Sequence, residues 1–441
     1  MLVLSYMETK GVSPAIISAV REGVGEQLSA IAKRSFDGAT IQGVEKDFME
    51  TLGKSGVSGL MRLFACNDEP GTVIIHEGQK HYRKFLAMGR YLTLLGAISL
   101  KRGIYQSNQA TRSICPLELK LKFINDYVSF AATEYICYSL ASMTLAEFVK
   151  HCRKWTLMKP SEGTVRRVLA YVGDFLEAGD FLTSVRSEET VSEEAVTLAM
   201  SMDSTSVLIR GKGWQHATAA TVSTYDAHGN RLDTIYIGRM PEKGKTRVKR
   251  LLEKEVEGVL AKHAFKQVVC IADGARELWR YFQKKYPHAL HVVDFFHVCE
   301  HLSKLSALFF EEPSHARAWY KKYRTILKED PHGASKLIRA ARYRRSVTKQ
   351  YPEIEAEIKY LQHNRKRMHY LELRQQNLPI GSGVVEAACK NLIGARMKKS
   401  GMRWTIDGGQ TVLTLRSLIL SNRWERFWTH FISRHFPEVE T

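Results

Sequence analysis

The stretch AVTLAMSMDS (195–204) is a continuous apolar run that closes on Asp203 and Ser204. Its short length and its flanking turn residues read as a buried strand. Two segments follow in the same style. HATAATVSTYD (216–226) and RLDTIYIG (231–238) alternate apolar and polar residues, and the run Asp226-Ala-His-Gly229-Asn230 is a turn between them. Together the three predict an antiparallel meander. Residues 246–263 then carry Val248, Leu251, Leu252, Val256, Val259 and Leu260 on one helical face. KQVVCIA (266–272) is an apolar strand reaching Asp273-Gly274, residues 275–285 are helical, and ALHVV (289–293) is a short strand reaching Asp294.

From Phe295 to about residue 377 the pattern is helical, with breaks near Pro313, Pro331 and Pro352, and a last helix begins after Gly381-Ser382-Gly383. A meander followed by two strand–helix crossovers gives one mixed α/β sheet with helices on both faces. The fold class expected is an RNase H-like mixed sheet (core 198–298 and 379–441), interrupted by an all-helical insertion at 299–378.

Upstream, residues 141–175 read as a helix-turn-helix. Ser142-Met143-Thr144 can cap a helix bearing Leu145, Phe148 and Val149, the segment 157–160 breaks it, and Ser161 caps a second helix with Thr164, Val165, Val168 and Leu169 as its stripe. Arg166 and Arg167 project from that second helix, which can enter a major groove. Residues 176–197, with Glu188, Glu189, Glu193 and Glu194, read as an acidic linker. Residues 1–140 form a mainly helical N-terminal region with one strand pair across 90–105 and a possible role at DNA ends.

Three carboxylates fall where this strand order would gather them. Asp203 is expected at the end of the central strand, Asp273 just past the fourth strand, and Glu386 in the first turn of the late helix. Open sheets of this kind bind ligands at the carboxyl ends of their strands. Oxygen-only acidic clusters suit magnesium or manganese. Two such ions can hold the attacking and leaving oxygens of a phosphodiester in line. Each residue also has a bland reading: Asp273-Gly274 as a turn, Asp203 as a local cap, Glu386 as a favourable charge at a helix N-terminus.

The charge supports a polyanionic partner. The 441 residues carry a formal net charge of +19, concentrated as +13 over residues 301–441. Double-stranded DNA is the partner such an excess most often meets. With 44% hydrophobic and 25% charged residues the chain is globular in composition, which excludes a disordered or collagen-like protein. No apolar run is long enough to span a membrane. The N-terminus lacks a basic region before a long apolar core, and the seven cysteines stand singly, so a reduced cytoplasmic setting beside the nucleoid is expected.

Asp203 in MSMDST, Asp273 in IADGARELW, Asp294-Phe-Phe-His297 in HVVDFFHV and Glu386 in PIGSGVVEAACKNLIGARMKKSGMRW resemble a bacterial insertion-sequence DDE transposase, of the ISKra-type group. The resemblance runs over roughly 90–430 and is most specific over 379–428. It implies cleavage at DNA ends and strand transfer with divalent metal, and a triad of Asp203, Asp273 and Glu386. Some members of the group carry a cysteine-rich knuckle where this chain has YQSNQATRSICPLE (105–118). Here only Cys115 is present, so zinc is not expected.

Asp294 and His297, three apart at a helix start, have two readings: a pair that contacts phosphate or fixes metal ligands, or a structural pair under the sheet edge. Lys390, Arg396, Lys398, Lys399 and Arg403 are expected to face DNA phosphates. Trp404 either stacks on an unpaired base or packs in the core. Trp424, Phe427 and Trp428 read as packing of the final helix. The insertion adds Arg339, Arg342, Arg344, Arg345, Lys349, Arg365, Lys366 and Arg367 as a basic ridge or a solvated face. Lys243-Gly-Lys-Thr-Arg247 lacks the spacing of a phosphate loop. The chain therefore reads as a metal-dependent transposase working as an oligomer on inverted-repeat ends. The alternatives are an RNase H-fold nuclease or resolvase that only cuts, and a domesticated DNA-binding protein.

Overall fold

The computed structural model describes residues 38–436 except 69–70, 108–112, 126, 179–180 and 347–351, with scattered positions between 14 and 29. Lys349 of the insertion's basic run lies outside the described residues. The chain divides into two compact units: residues 1–178 with 428–441, and residues 179–427.

In the first unit α1 (Gly38–Ala65) precedes a three-stranded antiparallel sheet of β1 (Val73–His76), β2 (Gln79–Thr93) and β3 (Gly96–Gln106) in that order. The β1–β2 turn is Glu77-Gly78, both at positive φ (48° and 74°), the geometry of a tight two-residue hairpin. The strand pair expected at 90–105 is the β2–β3 ladder, which extends back to Gln79. Tyr91, Ile98, Leu100 and Tyr105 are among its buried residues, and Tyr91 stacks on Phe123 at 4.2 Å. After α2 (Pro116–Leu121) and α3 (Phe130–Leu140) come the two helices expected at 141–175, α4 (Leu145–Trp155) and α5 (Glu162–Ala178). Thr144 and Glu147 form a reciprocal capping box at the start of α4, and Ser161 Oγ accepts the Thr164 N–H at the start of α5. Of the expected stripe, Thr164, Val165 and Val168 are buried and Leu169 is half-buried.

The second unit opens with α6 (Phe181–Ser187), so the segment read as an acidic linker is in part helical. Of its acids, Glu189 has a buried partner. Glu189 receives two hydrogen bonds from the buried Arg423 guanidinium (2.5 and 2.7 Å). Arg423 also reaches Glu255, which Arg186 meets from the other side at 3.0 Å. Burying the Arg423 and Glu255 charges requires such pairing.

The main sheet contains β4 (Thr197–Ile209), β5 (Gly213–Tyr225), β6 (Arg231–Arg239), β7 (Gln267–Ala272) and β8 (Leu290–Val293), ordered β6-β5-β4-β7-β8. The meander β4–β5–β6 is antiparallel, β7 runs parallel to β4, and β8 runs parallel to β7. Between them lie α7 (Thr246–Leu260) and α8 (Arg276–Lys285).

Side-chain alternation divides the sheet into two faces. On β4, Leu198, Met200 and Met202 enter one core with Leu252 and Val256 of α7 and with Trp279 and Phe282 of α8. Val207 and Ile209 enter the opposite core. The helices α9 (Phe295–Phe309), α10 (Pro313–Glu329), α11 (Gly333–Ser346), α12 (Pro352–Asn364) and α13 (Tyr370–Gln375) occupy the segment read as an insertion. They extend the first core through Leu302, Leu327, Leu337, Ile358 and Tyr370 instead of building one of their own. The opposite face is covered by α14 (Gly383–Ala388), a π-helical turn (Cys389–Gly394), the short α15 (Ala395–Met397) and α16 (Ile406–Leu420). A final helix α17 (Trp424–His435) buries Trp424, Phe427 and Trp428, as the sequence suggests. Among the described residues no helix is long and apolar enough to cross a membrane.

Candidate active site at the strand ends

Asp203 does not end its strand. β4 runs on through Thr205, Val207 and Ile209, paired throughout with β5, so Asp203 sits mid-strand opposite Ala219. The apolar run stops at Met202, but pairing with β5 keeps the backbone extended. What ends near Asp203 is the neighbour on the other side: β7 pairs with β4 only as far as Ser201↔Ile271.

That register places the acids in a row. Asp203 lies two residues past Ser201, and Asp273 lies two residues past its partner Ile271. Ala272 pairs with Val293, so Asp273 is level with Asp294. By register the three aspartates fall at one level, at the carboxyl ends of β7 and β8 and two residues past the point where β7 stops pairing with β4, in a sheet whose neighbouring strands lie about 4.8 Å apart. Alternation puts Asp203 on the same face as Val207 and Ile209, the face packed by α14 and the π-helical turn. The Cys389 thiol, three residues beyond Glu386, hydrogen-bonds the Asp203 carboxylate. Burial, and then that carboxylate, push the thiol pKa up. Asp203, Asp273 and Glu386 are each half-buried.

The turn after β7 is tightly made. Gly274 has φ +99°, and a Cβ there would meet the Tyr360 ring at 2.7 Å. Tyr360 on α12 donates its hydroxyl to the Asp273 carbonyl at 2.8 Å and stacks on His301, whose ring contacts Glu357. Asp273 Oδ1 accepts the Ala275 N–H at 3.0 Å and so closes its own turn.

Asp294 has a different role from its row-mates. It is fully buried, its Oδ1 accepts the His297 N–H at 2.8 Å, and its Oδ2 accepts the Ser382 N–H. Ser382 Oγ in turn donates to Glu386 Oε1 at 3.2 Å. The Phe295 N–H to Ile380 carbonyl bond (3.0 Å) fastens the same two segments. Asp294 is therefore a structural carboxylate that anchors the start of the Glu386 helix. His297 is partly exposed, with Nδ1 3.4 Å from Glu300.

The basic residues sort into exposed and buried. Lys390, Lys398 and Arg403 are exposed and Lys399 is half-buried. Lys398 donates to Thr205 Oγ1 at 2.5 Å, on the face of β4 that carries Asp203. Arg396 is a correction: it is only 3% exposed, and its guanidinium lies over the Trp404 ring at 4.8 Å. Trp404 is buried too, its Nε1–H given to the Met397 carbonyl at 3.0 Å and its backbone bridged to β4. The core reading of Trp404 holds, and neither side chain is placed to meet DNA.

In the first unit Arg166 is exposed beside Glu162, and Arg167 is exposed with its guanidinium against Tyr127. In the insertion, Arg344 lies over Phe310, Arg345 pairs with Glu355 and Arg367 covers Trp279, while Arg339, Arg342, Arg365 and Lys366 are exposed.

The oxygen-only donor set suits a hard divalent cation. Among the described residues, however, no three His, Cys, Asp or Glu side chains close into a group that could hold a metal. The sequence reading missed the Asp294–Ser382–Glu386 chain and the π-helical turn. Their one signal was the Gly381-Ser382-Gly383 break, read only as a helix start. No family model matches the chain, and no curated protein matches its sequence.

Proposed function

We propose that this protein is a DDE transposase of the insertion-sequence, ISKra-type kind, with an RNase H-like catalytic unit, and that it cuts the ends of its element and joins them to target DNA. One observation carries the reading. The β4–β7 register sets Asp203 level with Asp273, on the face covered by the helix of Glu386. The sheet order β6-β5-β4-β7-β8 and the +13 charge of residues 301–441 support it. Asp203, Asp273 and Glu386 would hold two magnesium or manganese ions, drawn together when DNA and metal bind. When bound, these ions supply charge neutralisation and a lowered pKa for the attacking oxygen.

The protein's own groups do the rest. Hydrolysis of the phosphodiester at the element end leaves a free 3′-hydroxyl. That hydroxyl attacks a target phosphodiester and displaces its 3′-oxygen, so one P–O bond forms as one breaks. Lys390, Lys398, Lys399 and Arg403 hold the phosphates beside the row of acids. Asp294, through Ser382, fixes where Glu386 enters. The α4–α5 pair serves as a helix-turn-helix for the element ends, with Arg166 and Arg167 towards the duplex. Two ends require at least a dimer on DNA.

The test is a joining reaction. The full chain is incubated with magnesium or manganese, labelled duplexes bearing the DNA that borders its reading frame, and supercoiled plasmid. Label covalently joined to plasmid is the expected result. Cut but unjoined duplex would make the protein a nuclease, and DNA binding with neither product would leave it a non-catalytic binder.

A further inference from the structure

Trp214 is 65% exposed at the tip of the β4–β5 hairpin; Trp155, at 64%, is exposed to a similar extent, whereas Trp279, Trp404, Trp424 and Trp428 are buried. The tip reads Arg210-Gly-Lys212-Gly-Trp214-Gln-His216, with two basic residues and no acid. Gly211 and Gly213 turn it at φ +73° and +71°, and a Cβ at either would meet nothing within 4 Å, so the turn projects into open space.

The hairpin is braced nonetheless. Trp404 donates its backbone N–H to the Leu208 carbonyl (3.0 Å) and its carbonyl accepts the Arg210 N–H (2.8 Å), adding a third backbone to the hairpin beside its tip. That parallel bridge, Ile209 to Trp404, sets the exposed Arg403 level with Leu208, two residues before Arg210. Trp214 pairs with Leu208 in register, and Asp203 with Ala219. At about 3.3 Å per residue the tryptophan stands roughly 17 Å along the strand from the candidate catalytic aspartate, and alternation puts it, with Leu208, on the opposite face of the sheet from Asp203.

We infer that Trp214 is a stacking platform for an unpaired base of DNA held at this edge of the sheet, with Arg210, Lys212 and Arg403 on the flanking phosphates. The inference rests on the DNA-binding part of the proposed function. An aromatic face among cations is the arrangement that single-stranded nucleic acid recognises, because every base has a stacking face and every linkage a charge. Trp404 holds the platform rigid, and a rigid platform loses little freedom on binding. Charge complementarity favours DNA over an apolar protein partner, which would meet the two cations of the hairpin tip, Arg210 and Lys212, beside the ring.

The test compares the full chain with Trp214→Ala and Trp214→Phe on two probes: a blunt duplex, and the same duplex with a short single-stranded overhang containing 2-aminopurine. Trp214→Ala is expected to weaken overhang binding between about fivefold and a hundredfold and to abolish the quenching of 2-aminopurine, with blunt-duplex affinity within about twofold. Trp214→Phe should keep most of both. Equal overhang affinity and quenching in Trp214→Ala and the parent would overturn the platform while leaving the proposed function standing. If the parent chain binds neither probe, both fall.

Discussion

The carboxylate of Asp294, fully buried where β8 ends, accepts the backbone N–H of Ser382, 88 residues further along and just before the helix of Glu386. Its other oxygen accepts the N–H of His297 on its own helix. A buried carboxylate whose acceptors face two backbone donors is a clamp. Asp294→Ala leaves two buried N–H groups without their acceptor, at a cost of about 2–4 kcal/mol. Ser382→Ala keeps the clamp and loses only the hydroxyl bond to Glu386, at about 0.5–1.5 kcal/mol. Urea unfolding followed by circular dichroism measures both, and equal losses would contradict this division of roles.

Arg423 joins Glu189 and Glu255 in a buried network that ties the segment after α6 to α7. Arg423→Ala leaves the Glu255 carboxylate, which is 2% exposed, with Arg186 as its remaining cationic partner, and is expected to destabilise by about 2–4 kcal/mol. A change below about 1 kcal/mol in the same unfolding measurement would show that the network is not formed in solution.

Trp404 and Trp214 should behave oppositely. Trp404→Ala empties a packed position beside Arg396 and is expected to cost about 3–5 kcal/mol. Trp214→Ala removes an exposed side chain and should stay within about 0.5 kcal/mol. Melting curves of the pair decide this without any DNA present.

Salt sensitivity separates the basic residues in the same way. Lys398→Ala and Arg403→Ala are expected to lower the slope of log affinity against log salt by about one each, as the loss of one phosphate contact does. Arg396→Ala should leave that slope unchanged and lower stability instead, because its guanidinium packs against Trp404. A lower slope for Arg396→Ala would restore it to the DNA surface.

His291 on β8 gives a pH signature. Burial, and then the neighbouring Arg367 guanidinium, hold its imidazole below the usual 6.5. Below about pH 6.5 the unfolded chain takes up a proton that the folded chain resists, so stability is full at neutral pH and declines as pH falls towards the lowered folded value. The melting temperature of the parent should fall more steeply below about pH 6.5 than that of His291→Gln. Parallel curves would contradict the assignment.

The five main strands were legible because β-branched and apolar residues run in short stretches closed by turn residues, as in RLDTIYIG before Met240-Pro241. The level of Asp273 and the first-turn place of Glu386 were legible for the same reason. The extent of β4 was not. Past Met202 it holds Asp203-Ser-Thr-Ser206, polar residues kept extended by pairing with β5, a long-range effect no local pattern carries. Arg396 looked like one more surface cation, since its burial depends on the Trp404 segment folding back beside β4. The shared core of the insertion was likewise hidden, because helical periodicity shows which face is apolar but not what it packs against.

The central claim is that Asp203, Asp273 and Glu386 act as one catalytic set, and single-turnover cleavage of end-bearing DNA by Asp203→Asn, Asp273→Asn and Glu386→Gln in magnesium and manganese tests it most directly. Each variant is expected to bind the DNA within about threefold of the parent and to lose at least about a hundredfold in cleavage rate, and the double variants should be no worse than the singles, as for residues that act as a unit. Parent-like cleavage by any one of the three would contradict the account.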